Sequence, residues 1–93
     1  MRTVMNSTEV EYRLKKIIAE YTEVDVKSIS HATSLREEIG LSSFDMISLI
    51  VEIEEQFSID IDDLDAYAEI ETFEEIIEYI TNRVNASEYS KNI

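Results

Sequence analysis

No proline occurs in this chain, and its only glycine is Gly40. These are the two residues that most reliably break a helix. Apolar residues recur at helical spacing on both sides of that glycine, so an all-α domain is the expected fold. The 93 residues suit one small domain, and 44% hydrophobic residues allow a modest core and a marginal stability.

Eight basic residues stand against 21 acidic ones, a net charge of -13. Such a surface repels nucleic acid and anionic lipid and attracts basic patches on other proteins. It also repels itself, so added salt is expected to raise the melting midpoint; a midpoint that ignores salt would count against this. With no cysteine, the chain has no disulfide, no thiolate metal site and no cysteine nucleophile. The lone His31 cannot build a histidine metal cluster. No signal peptide or membrane-length apolar run is visible, so the expected setting is cytoplasmic, without membrane insertion. The glycosylation-like triplet Asn85–Ser87 is then a coincidence.

Residues 1–6 read as a loose lead-in. The stretch STEVEYRLKKIIAEY, from Ser7, is the first expected helix, with Thr8 and Glu11 as a capping box. Its core face is Val10, Leu14, Ile17, Ile18 and Tyr21, and Lys15 and Lys16 lie toward the end that favours cations. A long first loop, Thr22 to Leu41, needs anchors; Val24, Val26 and Ile29 are the candidates. Ser34 with Glu37 repeats the capping pattern, Leu35 and Ile39 share a face, and Gly40 suits a C-terminal cap, so a helical turn is expected there. After the second helix, Ile59, Ile61 and Leu64 are expected anchors, with a short third helix near Leu64–Ala68. Thr72 and Glu75 open the last helix, whose core face is Phe73, Ile76, Ile77, Ile80 and Val84. Periodicity stops at Asn85, which gives a domain over residues 7–85 and a frayed tail over 86–93.

The second helix, from Ser42 or Ser43 to about Phe57, has more apolar surface than one core face requires. At ~100° per residue from Ser43, Met46, Leu49, Ile50, Ile53 and Phe57 fall between roughly 240° and 340°. Phe44, Ile47 and Val51 fall near roughly 40–100°, flanked by Glu54 and Glu55 at about 20° and 120°. This second stripe either packs under other helices or docks a partner through apolar contact ringed by acid. Ser42 is a good N-cap, with Asp45 as its return partner. Ser43 then stands in the first turn with no capping duty, where an attached anion would meet the free N–H groups and the helix dipole.

The stretch IGLSSFDMISLIVEIEEQFSIDI resembles the centre of acyl carrier proteins, with Gly40, Ser43, Phe44 and Asp45 in the places of the family signature. KKII in the first helix, EEIG, EIEEQF and IETFEEIIEYI extend the likeness over nearly the whole chain. The resemblance implies a small four-helix bundle with three longer helices and a short third. It implies a non-enzymatic, monomeric carrier whose Ser43 holds 4'-phosphopantetheine, transferred from coenzyme A by a phosphopantetheinyl transferase. The thiol of that arm would carry acyl groups as thioesters to acyl-transferring or condensing enzymes with basic docking patches, in fatty-acid, polyketide or related biosynthesis. Phe44, Asp45, Ile47, Val51, Glu54 and Glu55 match partner-docking positions. Two residues depart from the family: Ser42 stands where Asp is usual, and Ser48 where an acid is usual. Both remove negative charge near the attachment point and leave the choice of transferase and partner open.

Other readings stay beside this one. An amino-acid or peptidyl carrier would use the same arm, and an acidic helical adaptor would use the second stripe without a cofactor. Asp60, Asp62 and Glu71 match three positions of a calcium loop, but Leu64 and Asp65 stand where an oxygen ligand and glycine are needed. His31 reads as a loop residue.

Overall fold

A computed structural model of the chain describes the backbone of residues 6–90 and the side chains of 6–86. Four α-helices follow one another: α1 Ser7–Thr22, α2 Ser43–Phe57, α3 Leu64–Ala68 and α4 Phe73–Ser90. No strand occurs among the described residues. α1 packs on both α2 and α4, and α3 closes against α2. This is the expected small four-helix bundle with a short third helix. The lead-in expected at 1–6 falls, apart from Asn6, outside the described residues, as do residues 91–93 of the expected tail. The backbone of α4 is helical to Ser90, beyond the last periodic position.

α1 buries Val10, Leu14, Ile17 and Ile18 as its spacing dictates. Its cap differs from expectation. Asn6, in extended conformation, accepts a 2.9 Å bond from the Glu9 N–H, so the helix starts too early for Thr8 to cap it. Glu11 is thereby left for His31 and Lys15, at 2.9 and 3.6 Å. The helix also continues to Thr22, and no basic residue lies in its last turn. Lys15 and Lys16 therefore serve Glu11 and the Tyr12 ring rather than the dipole. Tyr21 is not a core residue but lies exposed, because its hydroxyl reaches out to donate to Asp45 Oδ1 at 3.2 Å.

Hydrogen bonds and buried side chains, Leu35 and Leu41 among them, together order the long loop. A short 3₁₀ turn, Val26–Ser28, is capped by Asp25. Ile29 is buried and Val24 packs partly against the core, whereas Val26 faces solvent at the start of that turn. Ser34 Oγ accepts from the Glu37 N–H, but the Ser34 N–H donates to Glu38 Oε2 and not to Glu37. The segment forms a turn and no helix. Gly40, at φ +92°, closes it, and the Leu41 N–H donates to the Leu35 carbonyl at 2.9 Å. Only glycine adopts that backbone without strain. The loop is then stitched to the start of α4. Leu35 N–H donates to the Glu71 carbonyl at 2.8 Å and Phe73 N–H to the Thr33 carbonyl at 3.0 Å, around an isolated bridge between Ser34 and Thr72. These bonds pair backbone groups along a polar 20-residue connection.

Ile59 and Ile61 are buried as expected. Leu64 is not: it opens α3 at the surface, and Tyr67 and Ile70 fill the core in its place. Thr72 and Glu75 form the expected reciprocal cap of α4, each bond 3.2 Å long. Backbone donors at Glu71 and Thr72 hold the Glu75 carboxyl below its ordinary pKa. Phe73, Ile76, Ile77, Ile80 and Val84 are all buried.

Candidate functional site at the start of α2

The site begins with how α2 is started. Ser42 is extended and caps the helix: its Oγ accepts from the Asp45 N–H at 3.1 Å, and Asp45 Oδ2 accepts from the Ser42 N–H at 2.9 Å. The Ser42 hydroxyl also donates to Asp45 Oδ2 at 2.9 Å. These bonds, first from the Ser42 backbone and then from its hydroxyl, hold the Asp45 carboxyl below its ordinary pKa, with a smaller part from Tyr21. Asp45 is expected at a docking position; its carboxylate is turned back onto the cap.

Ser43 is the first helical residue and is exposed. It makes no capping bond. Its backbone N–H and that of Phe44 have no acceptor within the helix. A cation stands beside its hydroxyl: Arg36 Nη1 lies 3.3 Å from Ser43 Oγ, while Nη2 donates to the Ala68 carbonyl at 2.8 Å. Ser43 therefore combines access, a free hydroxyl and nearby donors. A phosphodiester on that oxygen fits these surroundings, because the Asp45 carboxylate is engaged on the cap and a guanidinium stands beside the oxygen.

One helix presents both apolar faces. Met46, Leu49, Ile50, Ile53 and Phe57 are buried. Phe44, Ile47 and Val51 are 75%, 53% and 55% exposed, so no other helix covers them. Glu55 is exposed at the edge of this stripe. Glu54 is half-buried, and its Oε2 accepts from the Ile61 N–H at 2.7 Å. Among the described residues, no group of acids and histidine is placed to hold a metal ion, including those of the calcium-like Asp60–Glu71 segment. His31 bonds Glu11 and sits edge-on to Phe73, 6.4 Å between ring centres, which is a structural role.

Two neighbours of the site escaped the sequence reading. Arg36 lies seven residues before Ser43, in the turn that Gly40 closes, and its contacts there have no local signal. Tyr67 is not among the anchors expected around the short third helix, yet it is buried, and its hydroxyl donates to the Met46 carbonyl at 2.7 Å. Burial pushes the Tyr67 hydroxyl far above its ordinary pKa, with a smaller part from Tyr79. The hydroxyl thus ties α3 to the first turn of the site helix.

Comparison with known proteins agrees with this geometry. The family described as "Phosphopantetheine attachment site" matches residues 13–80. The chain is 43% identical over 75 residues to the acyl carrier protein of Desulforapulum autotrophicum, covering 80% of this chain and 96% of the relative. To that of Buchnera aphidicola it is 36% identical over 74 residues, covering 80% and 92%. To that of Thermosynechococcus vestitus it is 30% identical over 82 residues, covering 88% and 100%. Such proteins are carriers rather than enzymes and take phosphopantetheine as their prosthetic group. With match and geometry in agreement, this chain belongs to the acyl carrier protein family.

Proposed function

We propose that Ser43 is the attachment residue and that the protein delivers acyl thioesters to biosynthetic enzymes. In loading, Ser43 Oγ attacks the pantetheine-bearing phosphorus of coenzyme A. The bond from that phosphorus to the adenosine half breaks, adenosine 3',5'-bisphosphate leaves, and the hydroxyl proton passes to a base on the transferase. When bound, the arm supplies a thiol that holds an acyl group as a thioester, which a cysteine-free chain cannot do alone.

One observation carries this reading. Of two adjacent serines, Ser42 is engaged as the helix cap, whereas Ser43 is exposed with a guanidinium beside its oxygen. The uncovered Phe44–Ile47–Val51 stripe, with Asp45, Glu54 and Glu55 near it, is the proposed docking face for the transferase and for acyl-transferring or condensing enzymes with basic patches. Fatty-acid, polyketide or related biosynthesis is the pathway class.

Incubation with coenzyme A and a broad-specificity phosphopantetheinyl transferase, followed by intact mass measurement, tests the attachment. The expected product is one added phosphopantetheinyl group, absent in Ser43→Ala and retained in Ser42→Ala. Failure of the wild-type chain to gain mass with several transferases would favour the cofactor-free adaptor instead. Charging the loaded protein with acyl or aminoacyl groups by their respective enzymes separates an acyl carrier from a peptidyl one.

A further inference from the structure

Arg36 is unusual for its surroundings. In a chain of net charge -13, among the described residues its guanidinium has no carboxylate within ion-pair distance. Instead it bridges Ser43 Oγ, at 3.3 Å, and the carbonyl of Ala68, the last residue of α3, at 2.8 Å. The Ala68 contact alone would make Arg36 a cap for a short helix. The Ser43 contact is not needed for that, and it gives the guanidinium a second direction, toward the oxygen that would carry the phosphorus.

We infer that Arg36 is a positioning residue for the prosthetic arm: it pairs with the phosphodiester on Ser43 and fixes the arm's root beside the end of α3. This rests on the assignment of Ser43 made above. Once the Ser43 oxygen is esterified it becomes a poor acceptor. The two unesterified phosphate oxygens, sharing one negative charge, lie two bonds further out and become the better partners for Nη1. The planar fork can keep Nη2 on Ala68 while Nη1 turns to the phosphate. The charge is needed there. Arg36 and Ala68 line a shallow depression of ≈ 430 Å³ together with Glu69 and Glu71, and Glu37 and Glu38 follow Arg36 in the chain. Without the guanidinium, that depression would be lined by acid and carry no compensating cation. Arg36 also offsets in part the acidity of the chain where the phosphodiester adds one more negative charge.

Loaded and unloaded forms of the wild type, Arg36→Gln and Arg36→Lys are compared by intact mass, circular dichroism melting and ³¹P NMR. Arg36 is exposed, and the unloaded variants should fold. A purely structural cap would lower the midpoint of loaded and unloaded forms equally. The positioning role predicts that the loaded-minus-unloaded midpoint is about 2–4 °C less favourable in Arg36→Gln than in the wild type at low salt, with the gap shrinking as salt is added. It also predicts a shifted ³¹P resonance in Arg36→Gln and partial recovery of both signals in Arg36→Lys. Equal loading increments and an unchanged ³¹P resonance in all three proteins would overturn it. If the wild type takes up no arm at all, the Ser43 assignment fails first, and mass alone distinguishes that result.

Discussion

α2 carries two apolar faces of opposite fate, one of five residues and one of three. Met46, Leu49, Ile50, Ile53 and Phe57 are enclosed by the bundle, while Phe44, Ile47 and Val51 have no cover. Hydrophobicity alone does not tell the two apart, since both sets fit the same helix. The difference lies in the neighbours. α1 and α3 pack on one side of α2, and the stripe on the other side is bordered by charge. A helix in this setting can give stability from one face and recognition from the other, with few residues shared between the tasks.

The largest test of that division is truncation. Leu49→Ala or Ile53→Ala should cost about 2–5 kcal/mol through lost burial and a residual cavity, enough to unfold much of a domain this small. Ile47→Ala and Val51→Ala should stay within about 0.5 kcal/mol, since the removed groups are already in water. Urea unfolding of the four variants measures this, and equal losses on the two faces would end the distinction. Ile47→Glu should likewise leave the fold intact while weakening loading by the transferase.

A smaller effect concerns the join between the site helix and α3. Tyr67→Phe removes the buried bond to the Met46 carbonyl and should cost about 1–1.5 kcal/mol, with the helix content unchanged. A neutral result would mean that the ring alone holds α3 in place.

The finest test compares the two serines. Ser42→Ala should cost about 1 kcal/mol through loss of the cap, and Ser43→Ala should cost little. The same Ser42→Ala change should raise the Asp45 carboxyl toward its ordinary pKa, as followed by NMR titration. The sign follows from the depressed folded value. The contribution of Asp45 to stability is present above the ordinary carboxylate pKa and is lost as pH falls through the lowered one. In Ser42→Ala that acid-side loss should flatten. An Asp45 titration that does not move would mean that the backbone N–H at position 42, which the substitution keeps, sets its charge without help from the hydroxyl.

Much of this was legible in sequence because helix periodicity and capping chemistry are local. The core faces of α2 and α4, the Ser42–Asp45 and Thr72–Glu75 caps and the limits of α3 all follow from residues within four positions of one another. What the sequence did not show depends on contacts between distant segments. Glu11 is drawn to His31 across 20 residues, Tyr67 reaches Met46 across 21, and Arg36 reaches Ala68 across 32. Tyr21 and Leu64 sit at helix ends, where spacing alone overstates burial. The Thr8 cap failed because Asn6, two residues earlier, competed for the same role.

For the docking face proposed above, the bond from Ile61 to Glu54 has a consequence. Glu54 Oε2 is held by that N–H, which leaves Oε1 for a partner, whereas Glu55 is exposed. A lysine or arginine that meets Glu54 finds a carboxylate whose rotamers are already restricted, so less conformational entropy is lost on binding than at Glu55. Two neighbouring acids of equal charge would then differ in what they give a complex: one a fixed point of register, the other an adaptable attraction.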